Sequence, residues 1–188
     1  MTYTPFPNVD ARNGLHARVE VPLLLRALRL PRGGRVLEVG CGRGVALPVL
    51  AERLTPIALF GVDVDPTLLD VAARRLHAAG VDATLVEADV RALPFEPASF
   101  DLVVDFGTCY HVDGGTVGAR VALREVARVL RPGGLFIHET PIAQHLAHPV
   151  RSFAHALPWR AAPALVRDRA AVLWAARRKA LRVESADG

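Results

Sequence analysis

The fold of this chain is decided by the stretch Val36-Leu37-Glu38-Val39-Gly40-Cys41-Gly42-Arg43-Gly44. An apolar run typical of a β-strand ends at three glycines in alternate positions and passes into further apolar residues, the pattern of a strand that turns sharply into a helix. We expect Gly40 to allow the bend, Gly42 to leave the backbone open to a ligand, and Gly44 to let the new helix pack closely on the strand. A glycine-rich turn that binds nothing is the alternative.

The spacing of these glycines separates two kinds of nucleoside site. A dinucleotide fingerprint reads G-x-G-x-x-G and places a pyrophosphate on the helix N-terminus. Here the third glycine comes one residue earlier, and Glu38 stands two positions before the first glycine. A carboxylate at that place suits a cationic ligand. The resulting pattern, E-x-G-x-G-x-G, resembles the hallmark of class I S-adenosylmethionine-dependent methyltransferases.

This resemblance implies a fold and a cofactor. The fold is α/β and Rossmann-like, with a doubly wound, mostly parallel sheet of seven strands and helices on both faces. The cofactor is S-adenosyl-L-methionine, which leaves as S-adenosyl-L-homocysteine. In the family the acid helps orient the methionyl ammonium while the glycine loop lies under the ligand. By resemblance these contacts fall on Glu38, Gly40, Cys41 and Gly42.

Length and composition favour a single cytoplasmic domain. The chain has 188 residues, of which 51% are hydrophobic, so one substantial core is expected. No apolar block approaches the ~18 to 20 residues that a membrane span needs. The first ten residues do not resemble a secretory signal. The two cysteines, Cys41 and Cys109, are too few for a disulfide framework or a zinc cluster.

Charge is distributed unevenly along the chain. Residues 12–35 hold six arginines and one acid, and residues 151–182 hold eight basic residues and one acid. Residues 36–140 reverse the balance, with fourteen acids and nine arginines. If the basic flanks line the substrate side, they attract an anionic acceptor, and RNA is the extreme case. A solvated, arginine-rich surface is the alternative.

The N-terminal residues 1–34 are predicted to form an arm and a lid. Residues 16–30 carry apolar side chains at close to helical spacing. In methyltransferases an N-terminal helix of this kind often closes over the cofactor. Tyr3, His16 and Arg18 are therefore candidates for the substrate side.

An acid, Asp63, follows the second predicted strand. It stands 19 positions after Gly44, close to the ~20 expected of an acid that hydrogen-bonds a ribose hydroxyl pair. We assign Asp63 to the ribose and place Val64 beside the cofactor. Asp65 is interpreted as the N-cap of a helix over residues 66–79, and a cap is also the alternative role for Asp63.

The third predicted strand, residues 83–88, leads into Asp89-Val90-Arg91-Ala92-Leu93-Pro94-Phe95. This segment resembles the family signature D-x-x-x-L-P-F. The resemblance implies that Asp89 accepts a hydrogen bond from the adenine amino group and that the amide of Val90 faces the ring. An ordinary acid in a loop is the alternative.

The fourth predicted strand, residues 100–105, ends where the following loop should pass the methionyl end of the cofactor. Asp105 and Phe106 are assigned to cofactor binding there. The D-P-P-Y or N-P-P-Y residues of DNA amino-methyltransferases are absent at this point, which argues against a DNA base as acceptor.

The next residues, Cys109-Tyr110-His111-Val112, resemble the L-H-H-V run of small-molecule methyltransferases. Tyr110 and His111 are therefore candidates for the acceptor side. His111 is the candidate base for an acidic O–H or N–H nucleophile, because imidazole titrates near neutral pH. A histidine that only packs or orients is the alternative.

A helix over residues 117–130 is expected after that run. Its predicted buried face consists of Leu123, Val126, Ala127 and Leu130, and its predicted exposed face of Arg120, Arg124, Glu125 and Arg128. Arg131-Pro132-Gly133-Gly134 is expected to break the helix before a fifth strand over residues 135–140, and L-R-P-G-G again resembles the family. The cofactor-binding core is thus predicted over residues 35–140.

Residues 141–188 are predicted to form a substrate-side segment, with Arg151 as a candidate anchor, and a closing hairpin that supplies the last two strands. An alanine-rich helix is the rival structure. Five residues invite a metal interpretation: His138, Glu139, His145, His148 and His155. Their spacing matches no standard zinc or iron motif, so no metal is expected.

The favoured function is transfer of a methyl group from S-adenosylmethionine to an O, N or C nucleophile of a small molecule by in-line displacement. An RNA methyltransferase that uses the basic flanks is the second hypothesis. A non-catalytic module that only binds the cofactor, or a nicotinamide oxidoreductase, is the third. The sequence identifies neither the acceptor nor the oligomeric state.

Overall fold

The computed structural model describes residues 13–14, 16–28, 33–55, 57–109 and 111–138. In chain order the elements are a π-helical turn His16–Glu20, α1 Val21–Leu28, β1 Arg35–Val39, α2 Leu47–Leu54, β2 Ala58–Asp63, α3 Pro66–Ala79, β3 Thr84–Glu87, β4 Phe100–Asp105, α4 Gly115–Val129 and β5 Leu130–His138. The predicted N-terminal arm, the predicted C-terminal segment and its closing hairpin lie outside the described residues.

Within that part of the chain, five strands form one parallel sheet in the order β3-β2-β1-β4-β5. The chain moves outward from β1 to β3 and then returns to the other side of β1 with β4. Ligands of doubly wound folds bind at the carboxyl ends of strands beside such a reversal. The predicted Rossmann-like architecture is confirmed. The strand order reverses between β1 and β4, and the glycine loop lies at the carboxyl end of β1, beside this reversal.

Two layers of side chains cover the sheet. Alternate residues of β1 point to opposite faces, so Val36 packs with α1, α2 and α3, whereas Leu37 packs with α4. Continuous apolar character in the central strands follows from this burial on both faces. None of the described helices is long and apolar enough to cross a bilayer.

Short sequence signals explain where helices α3 and α2 begin and where α3 ends. Helix α3 has the predicted limits, because Asp65 accepts from the N–H groups of Thr67 and Leu68 at its start and Gly80 ends it with a left-handed φ of +63°. Helix α2 begins at Leu47, three residues after the last glycine of the loop. Gly44 has a φ of +65°, which is incompatible with a helical turn.

The segment Arg131-Pro132-Gly133-Gly134 is not a break before the fifth strand, as predicted, but lies within it. β4 advances from Phe100 to Leu102 while β5 advances from Leu130 to Leu135, so β5 carries a bulge. Gly133 has a φ of +76°, a conformation that lets the extra residues leave the ladder. The strand therefore starts at Leu130, and its carboxyl end is His138.

The predicted buried face of α4 is only partly correct. The buried residues are Gly118, Ala122, Val126 and Val129. Leu123 is 38% exposed, and Ala127 is exposed as well. The reason is that Glu125 and Arg128, which were expected to face solvent, hold the loop that follows Asp89.

This contact is a polar clamp. The Arg128 guanidinium donates to the carbonyls of Leu93 (2.8 Å) and Phe95 (2.7 Å), and Glu125 accepts from the Leu93 amide (2.9 Å). Glu125 and Arg128 also bond each other. Helix α4 is thus oriented so that its charged side chains hydrogen-bond the backbone of the loop after Asp89.

We predict that Arg128→Ala lowers the free energy of unfolding by about 1–3 kcal/mol, because two carbonyls and Glu125 lose a charged partner. Arg124→Ala, one turn away on an exposed position, should change it by less than about 0.5 kcal/mol. Urea unfolding of both variants measures the difference. Equal effects would contradict the clamp.

Candidate functional site

The glycine loop lies at the carboxyl edge of the sheet, directly after β1. The Cys41 amide donates to the Val62 carbonyl (2.9 Å), and the Gly44 amide donates to the Cys41 carbonyl (2.8 Å). The first bond holds the loop against β2, and the second closes its turn. Gly40, Gly42 and Gly44 all have positive φ angles, of +65°, +52° and +65°.

The three glycines serve different purposes. A Cβ at Gly40 would overlap the Thr108 side chain, and a Cβ at Gly44 would lie 2.8 Å from the Ala72 Cβ. Gly44 therefore allows a close approach of α3, rather than of the following helix on its own strand as expected. A Cβ at Gly42 would meet no atom of the described residues within 4 Å. Of these three positions, Gly42 is the one that borders open space, and its contact with a ligand stays a prediction.

Asp63 braces this loop from the end of β2. Its Oδ2 accepts from the Gly42 amide (2.8 Å), and its Oδ1 accepts from the Asp65 amide (3.0 Å). The spacing argument pointed to Asp63 but gave no reason to expect a bond to the glycine loop. A carboxylate offers about four acceptor positions, so these two bonds leave capacity for ribose hydroxyls. Val64 follows it and is 63% exposed.

Glu38 and Cys41 lie beside the same loop. Glu38 is 4% exposed and Cys41 is 5% exposed. Burial raises the pKa of the Cys41 thiol, and the negative charges of Glu38 and Asp63 raise it further. Cys41 is therefore an uncharged, buried thiol. Glu38 and Asp63, two of the four carboxylates predicted to contact the cofactor, both lie close enough to it to raise its pKa.

Asp89 lies just after β3 and is tied to Arg91. The Arg91 Nε donates to both carboxylate oxygens (3.0 and 2.9 Å), and the Arg91 amide donates to Oδ1 (2.8 Å). These hydrogen bonds lower the pKa of Asp89. Arg91 also donates to the Asp113 carbonyl (3.2 Å), so it joins this loop to the one after β4. Val90 is buried in the core, and an adenine contact by Asp89 or Val90 stays a prediction.

Asp105 is fully buried at the end of β4. It accepts from the amides of Gly107 (2.9 Å), Thr108 and Cys109 (3.2 Å), and it bonds Nδ1 of His138 (2.8 Å). Burial alone raises the pKa of Asp105, but the hydrogen bonds with His138 and Thr108 hold it below its ordinary value. Its carboxylate organises the loop of residues 106–109, a role that the sequence did not indicate.

The N-terminal segment packs against this loop. The rings of His16 and Phe106 meet edge to face with centroids 4.9 Å apart, and His16 Nδ1 lies 2.9 Å from Glu20 Oε2. His16 is buried and Arg18 is exposed. The predicted lid helix thus starts beside Phe106, a residue assigned to cofactor binding.

The acceptor-side candidates are only partly described. His111 is exposed, and its amide donates to the Thr108 carbonyl (2.8 Å). Tyr3, Tyr110 and Arg151 lie outside the described residues. Within the described ranges, no group of three or more His, Cys, Asp or Glu side chains is arranged to hold a metal ion.

Two residues near the site were not assigned to it from the sequence. Thr108 packs against Gly40, and His138 bonds Asp105 across the neighbouring strands. His138 could be placed beside Asp105 only from the register of β5, which pairs the two residues. That register depends on the bulge at residues 131–134 and could not be read from the pattern.

Gly42→Ala and Gly80→Ala form a matched pair, because both glycines have positive φ and open space at the Cβ position. Each substitution should cost about 1–2 kcal/mol of unfolding free energy from backbone strain. Only Gly42→Ala should also raise the dissociation constant for S-adenosylhomocysteine, by about tenfold or more, which corresponds to ~1.4 kcal/mol. Calorimetric titration that gives equal affinities would remove Gly42 from the site.

Asp105→Asn should lower the free energy of unfolding at pH 7 by roughly 2–4 kcal/mol, because buried amides lose a charged acceptor. The pKa of Asp105 is lowered on folding, so its contribution is present above the ordinary carboxyl value of about 3.9 and is lost as the pH falls through the folded value. Urea unfolding of wild type and variant should therefore converge below about pH 4. A constant difference down to the lowest accessible pH would contradict this role.

Comparison with known protein families gives a match over the sheet core. A family model described as "Methyltransferase domain" matches residues 36–134. This range starts in β1 and ends in the bulge of β5. It therefore contains the glycine loop, Asp63, Asp89 and Asp105.

Among curated proteins, fatty-acid O-methyltransferase of Mycolicibacterium smegmatis is 39% identical over 108 residues, which are 56% of this chain and 36% of that protein. Phthiotriol/phenolphthiotriol dimycocerosates methyltransferase 1 of Mycobacterium ulcerans is 38% identical over 109 residues, 56% of this chain and 37% of that protein. The chain thus matches little more than a third of the length of each. A solved S-adenosylmethionine-dependent methyltransferase of Aquifex aeolicus has the same fold, with a TM-score of 0.59 at 19% identity over 66% of this chain and 65% of that one.

Proposed function

The chain belongs to the methyltransferase domain family with the class I fold, and from this premise we propose that it transfers the methyl group of S-adenosyl-L-methionine to a small molecule. The observation that carries the proposal is the loop at the carboxyl end of β1. Gly42 borders open space there, and its amide is fixed by Asp63. A nucleoside can approach such a backbone closely while a carboxylate stands ready for its ribose.

The residues around the loop fit this cofactor. Those that would hold it are Glu38, Gly40, Cys41, Gly42, Asp63, Val64, Asp89, Val90, Asp105 and Phe106. The cofactor carries an ammonium and a sulfonium, and the negative edge formed by Glu38 and Asp63 is complementary to that charge. When bound, it supplies a methyl group on a sulfonium leaving group. Asp105 would act through the loop of residues 106–109, since its own oxygens bond that loop and His138.

The chain's main contribution to the reaction is positioning. An activated methyl group needs a nucleophile held in line behind the carbon and little other assistance. The loop braced by Asp105, with Phe106 packed on His16, forms a wall next to the glycine loop. His111 and Arg18 are both exposed and remain candidates for contact with the acceptor. His111 also remains a candidate base.

We propose a lipid-like acceptor with a polar or anionic head. The support is the names of two relatives, one a fatty-acid O-methyltransferase and the other a phthiotriol/phenolphthiotriol dimycocerosates methyltransferase. A fatty acid would also suit the basic flanks of the chain. Its carboxylate is already ionised and needs no base, whereas an alcohol, phenol or amine must lose a proton.

The RNA hypothesis rests on the basic flanks, most of which lie outside the described residues. Steep salt dependence of retention on RNA would favour it. Thermal shifts test the nicotinamide hypothesis, because a ligand stabilises only the fold that binds it. We expect S-adenosylmethionine and S-adenosylhomocysteine to raise Tm and a nicotinamide nucleotide to leave it unchanged.

We predict that Asp63→Ala raises the dissociation constant for S-adenosylhomocysteine by more than about thirtyfold, since both the loop bond and the ribose acceptor are lost. Asp65→Ala is the matched control. It removes an adjacent carboxylate that caps α3, so about 1 kcal/mol of unfolding free energy should be lost with cofactor affinity retained. Calorimetry on both variants decides. Undiminished affinity in Asp63→Ala would overturn the assignment of the cofactor site.

Methyl transfer itself is tested with radiolabelled S-adenosylmethionine and long-chain fatty acids. We expect label to enter the organic phase as the methyl ester with the wild-type chain and not with Asp63→Ala. Label recovered in RNA instead would favour the second hypothesis.

A further inference from the structure

Asp105 and His138 form a carboxylate–histidine pair at the carboxyl edge of the sheet. β4 and β5 are parallel neighbours, and their register places the two residues side by side at the strand ends. His138 Nδ1 lies 2.8 Å from Asp105 Oδ2. Asp105 is fully buried, whereas the His138 side chain is 25% exposed and stacks on Phe136 with centroids 5.5 Å apart. The ring is thus held by Asp105 and remains partly exposed.

The hydrogen bonds of Asp105 determine the tautomer of His138. Its two oxygens already accept from the amides of Gly107, Thr108 and Cys109, as an ionised carboxylate does. Nδ1 of His138 must then carry the hydrogen that joins the two groups. In that tautomer, Nε2 is the ring nitrogen without a hydrogen.

His138 lies on the β4–β5 half of the sheet edge, one strand beyond Asp105, which is assigned to the cofactor. On the other half, Glu38 lies in β1, Asp63 ends β2 and Asp89 follows β3. Thr108 connects the two halves, because its side chain packs on Gly40 and its amide donates to Asp105. An acceptor that reaches the cofactor from the β5 side of β4 would pass the end of β5, where His138 lies beside Asp105.

We propose that His138 is a catalytic residue that accepts the proton of the methyl acceptor, with Asp105 as the positioning residue that orients the ring. This inference rests on the proposed methyl transfer and names its base. In the step, the O–H or N–H proton moves to Nε2, the nucleophile bonds to the methyl carbon, and the electron pair of the broken methyl–sulfur bond stays on sulfur. The imidazolium that forms is stabilised by the adjacent Asp105 carboxylate.

The proposal selects a class of acceptor. A base is of use only for a nucleophile that is protonated at neutral pH, such as a phenol, another hydroxyl or an amine. A fatty-acid carboxylate gains nothing from it. We therefore expect methylation of phenolic or hydroxyl lipids to depend on Asp105 and His138, and methylation of carboxylates not to depend on them.

The first test is NMR of the chain with labelled histidines, bound to S-adenosylmethionine carrying a ¹³C methyl group. We expect an Nδ1–H tautomer for neutral His138 and nuclear Overhauser effects between the methyl group and its ring protons. His77, exposed in the last turn of α3, is the internal control and should show none. An Nε2–H tautomer, or methyl contacts to Phe106 and Thr108 with none to His138, would overturn the proposal.

Calorimetry with S-adenosylhomocysteine distinguishes this failure from failure of the proposed function. If the wild-type chain binds the ligand and the NMR signature is absent, only the role of His138 is overturned. If the chain does not bind it, the methyltransferase proposal itself fails and His138 falls with it.

The second test is kinetic and uses His138→Asn, whose amide can still donate to Asp105. With a long-chain alkylphenol as acceptor, kcat should fall about 100-fold or more, the usual contribution of a general base. The ratio of alkylphenol turnover to fatty-acid turnover should fall with it, because a carboxylate nucleophile needs no base. His111→Asn separates the two histidines. A loss of alkylphenol turnover in His111→Asn that exceeds the loss in His138→Asn would overturn the proposal.

Discussion

The left-handed bend after β1 is the constraint on which the rest of this structure depends. The chain must leave β1, cross the end of β2 and start a helix within a few residues, and Gly40, Gly42 and Gly44 do this with positive φ angles. Side chains from elsewhere fill the space that glycine leaves. Thr108 of the loop after β4 packs on Gly40, and Ala72 of α3 packs on Gly44. One bend therefore sets the position of both halves of the sheet edge.

Carboxylates at the strand ends fix the loops around this bend. Asp63 holds the Gly42 amide, Asp89 holds Arg91, and Asp105 holds three successive amides of its own loop. A carboxylate accepts several hydrogen bonds at once, so each can organise backbone and still belong to a ligand site. The same groups make this edge negative, which favours a cationic ligand over a pyrophosphate. Structural support and ligand preference thus come from the same residues.

Local signals in the sequence predicted much of this arrangement. The parallel α/β fold, the helix over Pro66–Ala79 and the strand Phe100–Asp105 were read from glycine spacing, caps and apolar runs. Contacts between segments that are distant in the sequence were not predicted. The face of α4 was wrong in part because Glu125 and Arg128 bind a loop some thirty residues earlier, which no periodicity reveals. The Asp63 contact with Gly42 is of the same kind.

The register of β5 is the clearest feature that the sequence pattern could not predict. Pro132 and the two glycines after it have the composition of a break, yet they form a bulge inside the strand, and the bulge decides which residue ends beside Asp105. A strand starting at residue 135 would give the same alternation but would not by itself identify its partner. Register is set by pairing with β4, so the pair with His138 became visible only in three dimensions.

It is informative that the side chain bonded to Asp105 is a histidine, His138, because Asp105 already accepts from three backbone amides. A neutral amide side chain would complete its hydrogen bonding equally well, whereas an imidazole adds a group that can change charge. Methyl transfer removes a positive charge from sulfur, and the carboxylates at this edge would oppose that loss because they stabilise the cation. If the acceptor proton moves to His138, a positive charge reappears beside Asp105 as the sulfonium charge disappears. The net charge of the site is then conserved during the reaction, and the negative edge that binds the cofactor need not raise the barrier to its use.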